Sequence, residues 1–99
     1  MPTYSRTDSF FRDYKSLDSD ERTQFRVAVK KFVADLRRGS FRKGLRVKGV
    51  EGSEGVFEMT WDNDGRATFS YGQERIAGQA HVIWRRIGTH SIFTPPPGP

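Results

Sequence analysis

The hydrophobic period of this chain changes once, at Gly39, and that change limits what it can fold into. Upstream, Phe25, Val29, Phe32 and Leu36 lie at i, i+4, i+7 and i+11, with Ala28 and Val33 widening the stripe. That spacing predicts an amphipathic helix with one buried face. Asp18 and Glu21 stand at capping-box spacing, so the helix starts near Asp18 or Ser19. Gly39 stops it. A shorter helix precedes it, capped by Thr7 or Asp8, with Phe10, Phe11, Tyr14 and Leu17 on one face. Residues 3–6 read as a short first strand.

Downstream of Gly39 the apolar residues alternate instead. Leu45 and Val47 alternate with Arg46 and Lys48; Phe57, Met59 and Trp61 with Glu58 and Thr60; Ala67, Phe69 and Tyr71 with Arg66, Thr68 and Ser70. Each run reads as a strand with one buried and one wet face. Asp62-Asn63-Asp64-Gly65 is a hairpin turn, and Gly49, Gly52 and Gly55 mark another. Residues 81–87 (HVIWRRI) form a last strand whose alternation is less clean, because Ile83 and Ile87 oppose Val82 and Trp84. The expected fold is α+β, two N-terminal helices packed on one face of a small, mostly antiparallel sheet. The helices should cover Phe57, Met59, Trp61, Phe69 and Tyr71. Arg46, Lys48, Glu58, Thr60, Arg66, Thr68 and Ser70 should then share the open face. Trp61 and Trp84, at alternating positions, read as interior.

A chain of 99 residues has room for one core. Eight Phe supply the bulk that so short a chain needs. The domain is expected over residues 1–93, with 94–99 a disordered, Pro-rich tail. No apolar run is long enough for a membrane span, and residues 1–8 have no signal-peptide character. A soluble, cytoplasmic protein without membrane contact is the expectation.

Charge is unevenly placed within a formal net +5. Residues 1–36 hold seven basic and six acidic side chains, whereas residues 37–48 hold Arg37, Arg38, Arg42, Lys43, Arg46 and Lys48 and no acid. Such a block suits a polyanion, and the Arg-rich composition favours phosphate; a solvated surface is the simpler alternative. The lack of cysteine removes thiol nucleophiles and zinc–thiolate sites. There is no Gly-x-Ser-x-Gly, and two distant histidines with scattered acids form no metal-ligand set. No metal or cofactor is expected.

The element order, together with Gly88-Thr89-His90-Ser91-Ile92-Phe93 near the C-terminus, resembles the RelE/ParE toxin superfamily, nearest its YafQ-type branch. Arg66-Ala67-Thr68-Phe69 is similar to an Arg-x-x-aromatic on a central strand of that superfamily, and Lys43-Gly44-Leu45 enters the first long strand similarly. The chain departs from the YafQ type in lacking histidines at Lys43 and around Glu58 and Thr60. Its interval from His90 to Phe93 is also one residue shorter. The resemblance implies a RelE-like fold, the toxin of a type II toxin–antitoxin system, and cleavage of mRNA on the ribosome by a metal-independent endoribonuclease. It implies a cognate antitoxin partner, with the protein a monomer or part of a toxin–antitoxin hetero-oligomer. By position, it makes His90 the general acid or base, Arg66 the holder of the scissile phosphate and Phe93 the aromatic that orients the nucleotide.

RNA carries its own nucleophile, the 2′-OH, so cleavage requires a base, an acid and cations around phosphorus. Imidazole titrates near neutrality, which suits His90. Glu58 is the carboxylate expected on the basic face and is the candidate base, with Lys43 or Lys48 as substitutes. Lys43, Arg46, Lys48 and Arg85 form the expected RNA-binding set, with Arg66 and Arg85 able to grip phosphate bidentately. Structural roles stand beside these: Glu58 paired with Arg66 across strands, and Phe93 closing the sheet's edge. His81 receives no role. Two other functions remain open, a non-enzymatic ParE-like toxin that inhibits DNA gyrase and an inactive basic nucleic-acid-binding module.

Overall fold

The computed structural model describes residues 2–93. Strand β1 (Thr3–Arg6) leads into helices α1 (Asp8–Lys15) and α2 (Ser19–Arg38). A single 3-10 turn (Lys43–Leu45) precedes β2 (Lys48–Gly49), β3 (Phe57–Thr60), β4 (Gly65–Gly72) and β5 (His81–Thr89), and a last 3-10 turn spans His90–Phe93. The five strands form one sheet in the order β1-β5-β4-β3-β2, with β1 parallel to β5 and every other pair antiparallel. The helices supply the crossover that a parallel β1–β5 pair requires. The α+β architecture is therefore as the sequence predicts.

Local chemistry sets the helix ends. Thr7 Oγ1 accepts from the Phe10 N–H at 3.1 Å. Asp18 and Glu21 complete the capping box, Asp18 Oδ1 accepting from Glu21 N at 2.8 Å and Glu21 Oε1 from Asp18 N at 2.9 Å. At the far end Gly39 takes φ 86°, a left-handed conformation natural to glycine, and its N–H reaches the Asp35 and Leu36 carbonyls. Phe25, Ala28 and Phe32 are buried against the sheet, with Val29, Val33 and Leu36 packed around them. The core is aromatic: the Phe32 ring lies 4.9 Å from Phe69 and 5.2 Å from Trp84, and Phe25 5.5 Å from Trp84. Trp61 and Trp84 are both interior.

Four sequence expectations need correction. Leu45–Lys48 is not a strand: Lys43–Leu45 coils, Arg46 takes φ 48°, and β2 keeps two residues. Leu45 is buried from within this turn, so a buried residue two positions from another mimicked strand alternation. Arg46 consequently leaves the open face. Tyr71 is not covered by the helices; next to last in β4, it stays 45% exposed while its ring packs on Phe57 and Phe69. Phe11 is also outside the core, with the Arg6 guanidinium and the Lys15 ammonium over its ring at 4.3 and 5.2 Å from its centroid. The tail expected at 94–99 lies outside the described residues. Among those described, no helix is long and apolar enough to cross a membrane.

One buried side chain is a carboxylate. Asp35 has no exposed surface. It accepts from Arg42 at its Nε, Nη2 and backbone N, each at 2.8 Å, and from Arg38 Nη2 at 2.5 Å. The hydrogen bonds from the Arg42 side chain hold its carboxyl far below the usual carboxylate range, overcoming the opposing effect of burial. This knot ties the segment after α2 back onto the helix and so places the start of β2. Because the folded-state value is depressed, its contribution is complete above the ordinary value of about 3.9 and is lost as pH falls below it. Asp35→Asn should lower the melting temperature at neutral pH by more than about 5 °C. The gap from wild type should narrow as the pH is taken below about 4, which thermal denaturation followed by circular dichroism will show.

Candidate active site

Strand pairing lines four side chains up across the open face of the sheet. Lys48 pairs with Glu58, Glu58 with Thr68, and Thr68 with Arg86. The row therefore runs cation, carboxylate, hydroxyl, cation, one residue from each of β2 to β5. Lys48 Nζ stands 3.8 Å from Glu58 Oε1. Lys48 is 64% exposed and Glu58 12%, so the pair adds at most about 1 kcal/mol and chiefly orients the carboxylate. The partner of Glu58 is thus Lys48, and Arg66 does not take that place.

The last strand contributes most of the remaining chemistry, through an irregularity. Phe69 pairs with Trp84 but Thr68 with Arg86, so Arg85 has no opposite residue on β4. This bulge explains the imperfect alternation of residues 81–87. It also lets Trp84 and Ile87 both face the helices while Arg86 stays on the wet side. Elements on the β1 side hold the bulge in place. Thr7 N donates to the Trp84 carbonyl at 3.0 Å and Thr7 Oγ1 to that of Arg85 at 2.9 Å. Asp13 of α1 accepts from Ile87 N at 3.1 Å and from Arg86 Nε at 2.6 Å. Arg86 is therefore neutralised, whereas Arg85 is exposed and makes no ion pair among the described residues.

Beyond Thr89 the chain turns back over the sheet. A Cβ on Gly88 would stand 2.9 Å from Ile92 Cγ2, so the turn closes this tightly because residue 88 has no side chain. Thr89 and Ser91 share a hydroxyl–hydroxyl hydrogen bond of 2.7 Å across it. His90 and Phe93 meet edge to face, 5.4 Å between ring centroids. The result is a cleft of about 720 Å³ lined by Lys48, Glu58, Thr68, Arg85, Arg86, His90, Ile92 and Phe93, with Val50, Glu51 and Ser53 of the loop after β2 also lining it.

Of the side chains singled out from sequence, His90, Glu58, Phe93, Lys48 and Arg85 share this cleft. Arg66, Lys43 and Arg46 are not among its lining residues. Arg66 pairs with Thr60 and Gly88 in register, but its Nη1 turns back to the carbonyls of Gly65, Asn63 and Asp62 at 3.0 to 3.4 Å. Lys43 and Arg46 belong to the turn before β2. Sequence reasoning missed Arg86 and Glu51, and placed Thr68 on the open face without giving it a role. The irregular Trp84-Arg85-Arg86-Ile87 parity was the available signal for Arg86; Glu51 sits in a loop marked only by its glycines. His81, left without a role, is buried, its Nδ1 2.7 Å from Thr3 Oγ1 and its Nε2 3.1 Å from Ser5 Oγ. Among the described residues, no group of three or more His, Asp or Glu is arranged to hold a metal ion.

Comparison with solved structures settles the architecture. The E. coli DinJ–YafQ toxin–antitoxin complex contains a chain that superposes with a TM-score of 0.70 at 10% identity, over 95% of this chain and 98% of that one. The YoeB/ParE toxin from Agrobacterium tumefaciens superposes at 0.64 and 12% identity, over 89% and 98%. The RelB–RelE antitoxin–toxin complex from Methanococcus jannaschii gives 0.59 and 14%, over 88% and 91%.

The fold is that of the RelE/ParE toxins.

No protein-family model matches the chain, and no curated protein matches it. The likeness to RelE/ParE structures is thus one of backbone, as expected where few core positions tolerate only one residue. Within that RelE/ParE framework the Gly88–Ile92 contact generates a specific expectation. Gly88→Ala should displace the terminal turn, moving the His90 ring resonances in NMR spectra, and Gly88→Ala/Ile92→Ala should move them back toward wild type.

Proposed function

We propose that this chain is the toxin of a type II toxin–antitoxin system and that its open-face cleft cleaves mRNA, on the ribosome, without a metal. The observation that carries the reading is the convergence of Glu58, Lys48, Arg85 and His90 on one cleft of a RelE/ParE fold. A base, an acid and an unpaired cation are what transesterification of RNA requires of a protein.

In this mechanism the scissile phosphate lies against Arg85, whose fork suits two phosphate oxygens. Glu58 takes the proton of the 2′-OH, and Lys48 beside it keeps the carboxylate oriented. The 2′ oxygen attacks phosphorus, the bond from phosphorus to the 5′ oxygen breaks, and His90 donates the proton that the leaving oxygen needs. The products are a 2′,3′-cyclic phosphate and a 5′-hydroxyl. Phe93, edge-on to His90, offers a ring on which the neighbouring base stacks and limits how the imidazole turns. Arg66, anchored on its hairpin, stands outside the cleft, so the phosphate contact passes to Arg85.

Two of the three structures compared above are toxin–antitoxin complexes. A cognate antitoxin is accordingly proposed here as well, and its co-expression should relieve growth arrest. Expression in a bacterial host should halt growth and create new mRNA 5′ ends. His90→Ala should abolish both, with cleavage by purified protein slowed about 10²- to 10⁴-fold. Arrest by both proteins without new ends would replace cleavage with inhibition by binding. Purified protein should also cut free RNA slowly, and equally well in EDTA and in Mg²⁺; a dependence of that activity on metal would contradict the mechanism.

A further inference from the structure

The cationic segment singled out in the sequence is only partly used by the active-site cleft. Arg38 and Arg42 are committed to Asp35, and Lys48 joins the cleft. Arg46 goes elsewhere. It lines a second depression, of about 420 Å³, bounded by α2, the turn over residues 42–46 and the hairpin between β3 and β4. Lys31 of α2 lines the same depression. Neither Lys31 nor Arg46 makes an ion pair or a side-chain hydrogen bond among the described residues. Asp62 is the single carboxylate lining it, set against Lys31, Arg46 and Arg42. The knot of Asp35, Arg38 and Arg42 itself has two cations for one carboxylate, so the local balance is positive.

Two independent features mark this place. Arg46, at φ 48° and ψ 43°, is the only non-glycine residue at positive φ among those described. Backbone strain of this kind is held where the surrounding structure over-determines it and clusters at binding sites. Trp61, 8% exposed, lines the depression, and its indole N–H is the one buried side-chain donor among the described residues without a partner. Thr60 also lines it. Thr60 lies two residues along β3 from Glu58, roughly 7 Å at the rise of a strand. The second depression therefore begins beside Glu58, two residues along β3 from the active-site row.

We propose that this depression is a second phosphate subsite, in which Lys31 and Arg46 take backbone phosphates of the same RNA strand whose scissile phosphate lies in the cleft. The inference rests on the reading of RNA as the ligand but not on cleavage. Lys31 and Arg46 offer a polyanion separate point contacts, and the neutral Gln24 and Asn63, which line the same depression, add hydrogen-bonding groups without charge. Such contacts position a strand and leave base selection to the cleft.

The test is binding of a fluorescent 2′-O-methyl RNA oligonucleotide, which lacks the nucleophile and cannot be cut, followed by anisotropy between about 50 and 200 mM salt. Lys31→Ala and Arg46→Gly are the informative variants. Glycine at position 46 relieves the left-handed strain, so that variant should melt no lower than wild type while losing the guanidinium. Each substitution should weaken binding and reduce the slope of log affinity against log salt by about 0.7, and the double variant by about 1.4. A double variant with undiminished affinity and slope would overturn the subsite while leaving RNA as the ligand of the cleft. Undiminished RNA binding with weakened binding of a poly-glutamate peptide would overturn it in favour of an acidic polypeptide. Wild type that binds no RNA would overturn both the subsite and the ribonuclease reading; binding without cutting of unmodified RNA would remove only the latter.

Discussion

The rest of the structure depends on the one-residue slip between β4 and β5. Val82 and Trp84 point at the helices before it and Ile87 after it, which a regular strand cannot do. In unbroken alternation Arg86 would share the buried face with Trp84, and a buried unpaired guanidinium costs several kcal/mol, at least about 3. The extra residue keeps the apolar side chains inside and turns consecutive arginines outward. It also sets the phase with which β5 arrives at Gly88, and hence where the last turn places His90. Core packing and site geometry are in this sense one constraint.

Three carboxylates then divide the arginines and lysines among tasks. Asp35 commits Arg38 and Arg42 to holding the segment after α2. Asp13 commits Arg86 to the bulge and caps the Ile87 N–H where β1 no longer covers β5. Glu58 keeps only a long contact with Lys48. Among the cations left without an ion pair are those a polyanion can use in these two places: Arg85 in the cleft, and Arg46 and Lys31 in the depression that begins beside Glu58. Net charge alone could not have made this distinction, since pairing decides which cations are available.

Much of this was legible in the sequence, and the exceptions have identifiable causes. The capping box, the Gly39 stop, the Asp62–Gly65 hairpin and the parity of β3 and β4 follow from local rules, and those regions fold as they read. The stretch from Arg42 to Lys48 misled because a tight turn burying Leu45 gives the same two-residue alternation as a strand. Asp35 was overlooked although it stands at i+3 from Phe32 and i+7 from Ala28, on the buried stripe. A carboxylate there, followed within seven residues by Arg38 and Arg42, is a signal for a buried ion knot. Parity made Lys48, Glu58 and Thr68 of the open-face row readable, but not Arg86. Choosing Arg85 over Arg86 as the unpaired cation requires knowing that Asp13 reaches β5, a contact across 73 residues of sequence.

The central claim is that the cleft uses the RNA's own 2′-OH. The chemistry of the cut ends tests it most directly. Wild-type protein should be incubated with a defined RNA in EDTA and the fragments weighed by mass spectrometry. A 2′,3′-cyclic phosphate or its 3′-phosphate hydrolysis product on one fragment, with a 5′-hydroxyl on the other, is the result this account predicts. Fragments carrying a 3′-hydroxyl and a 5′-phosphate would contradict it.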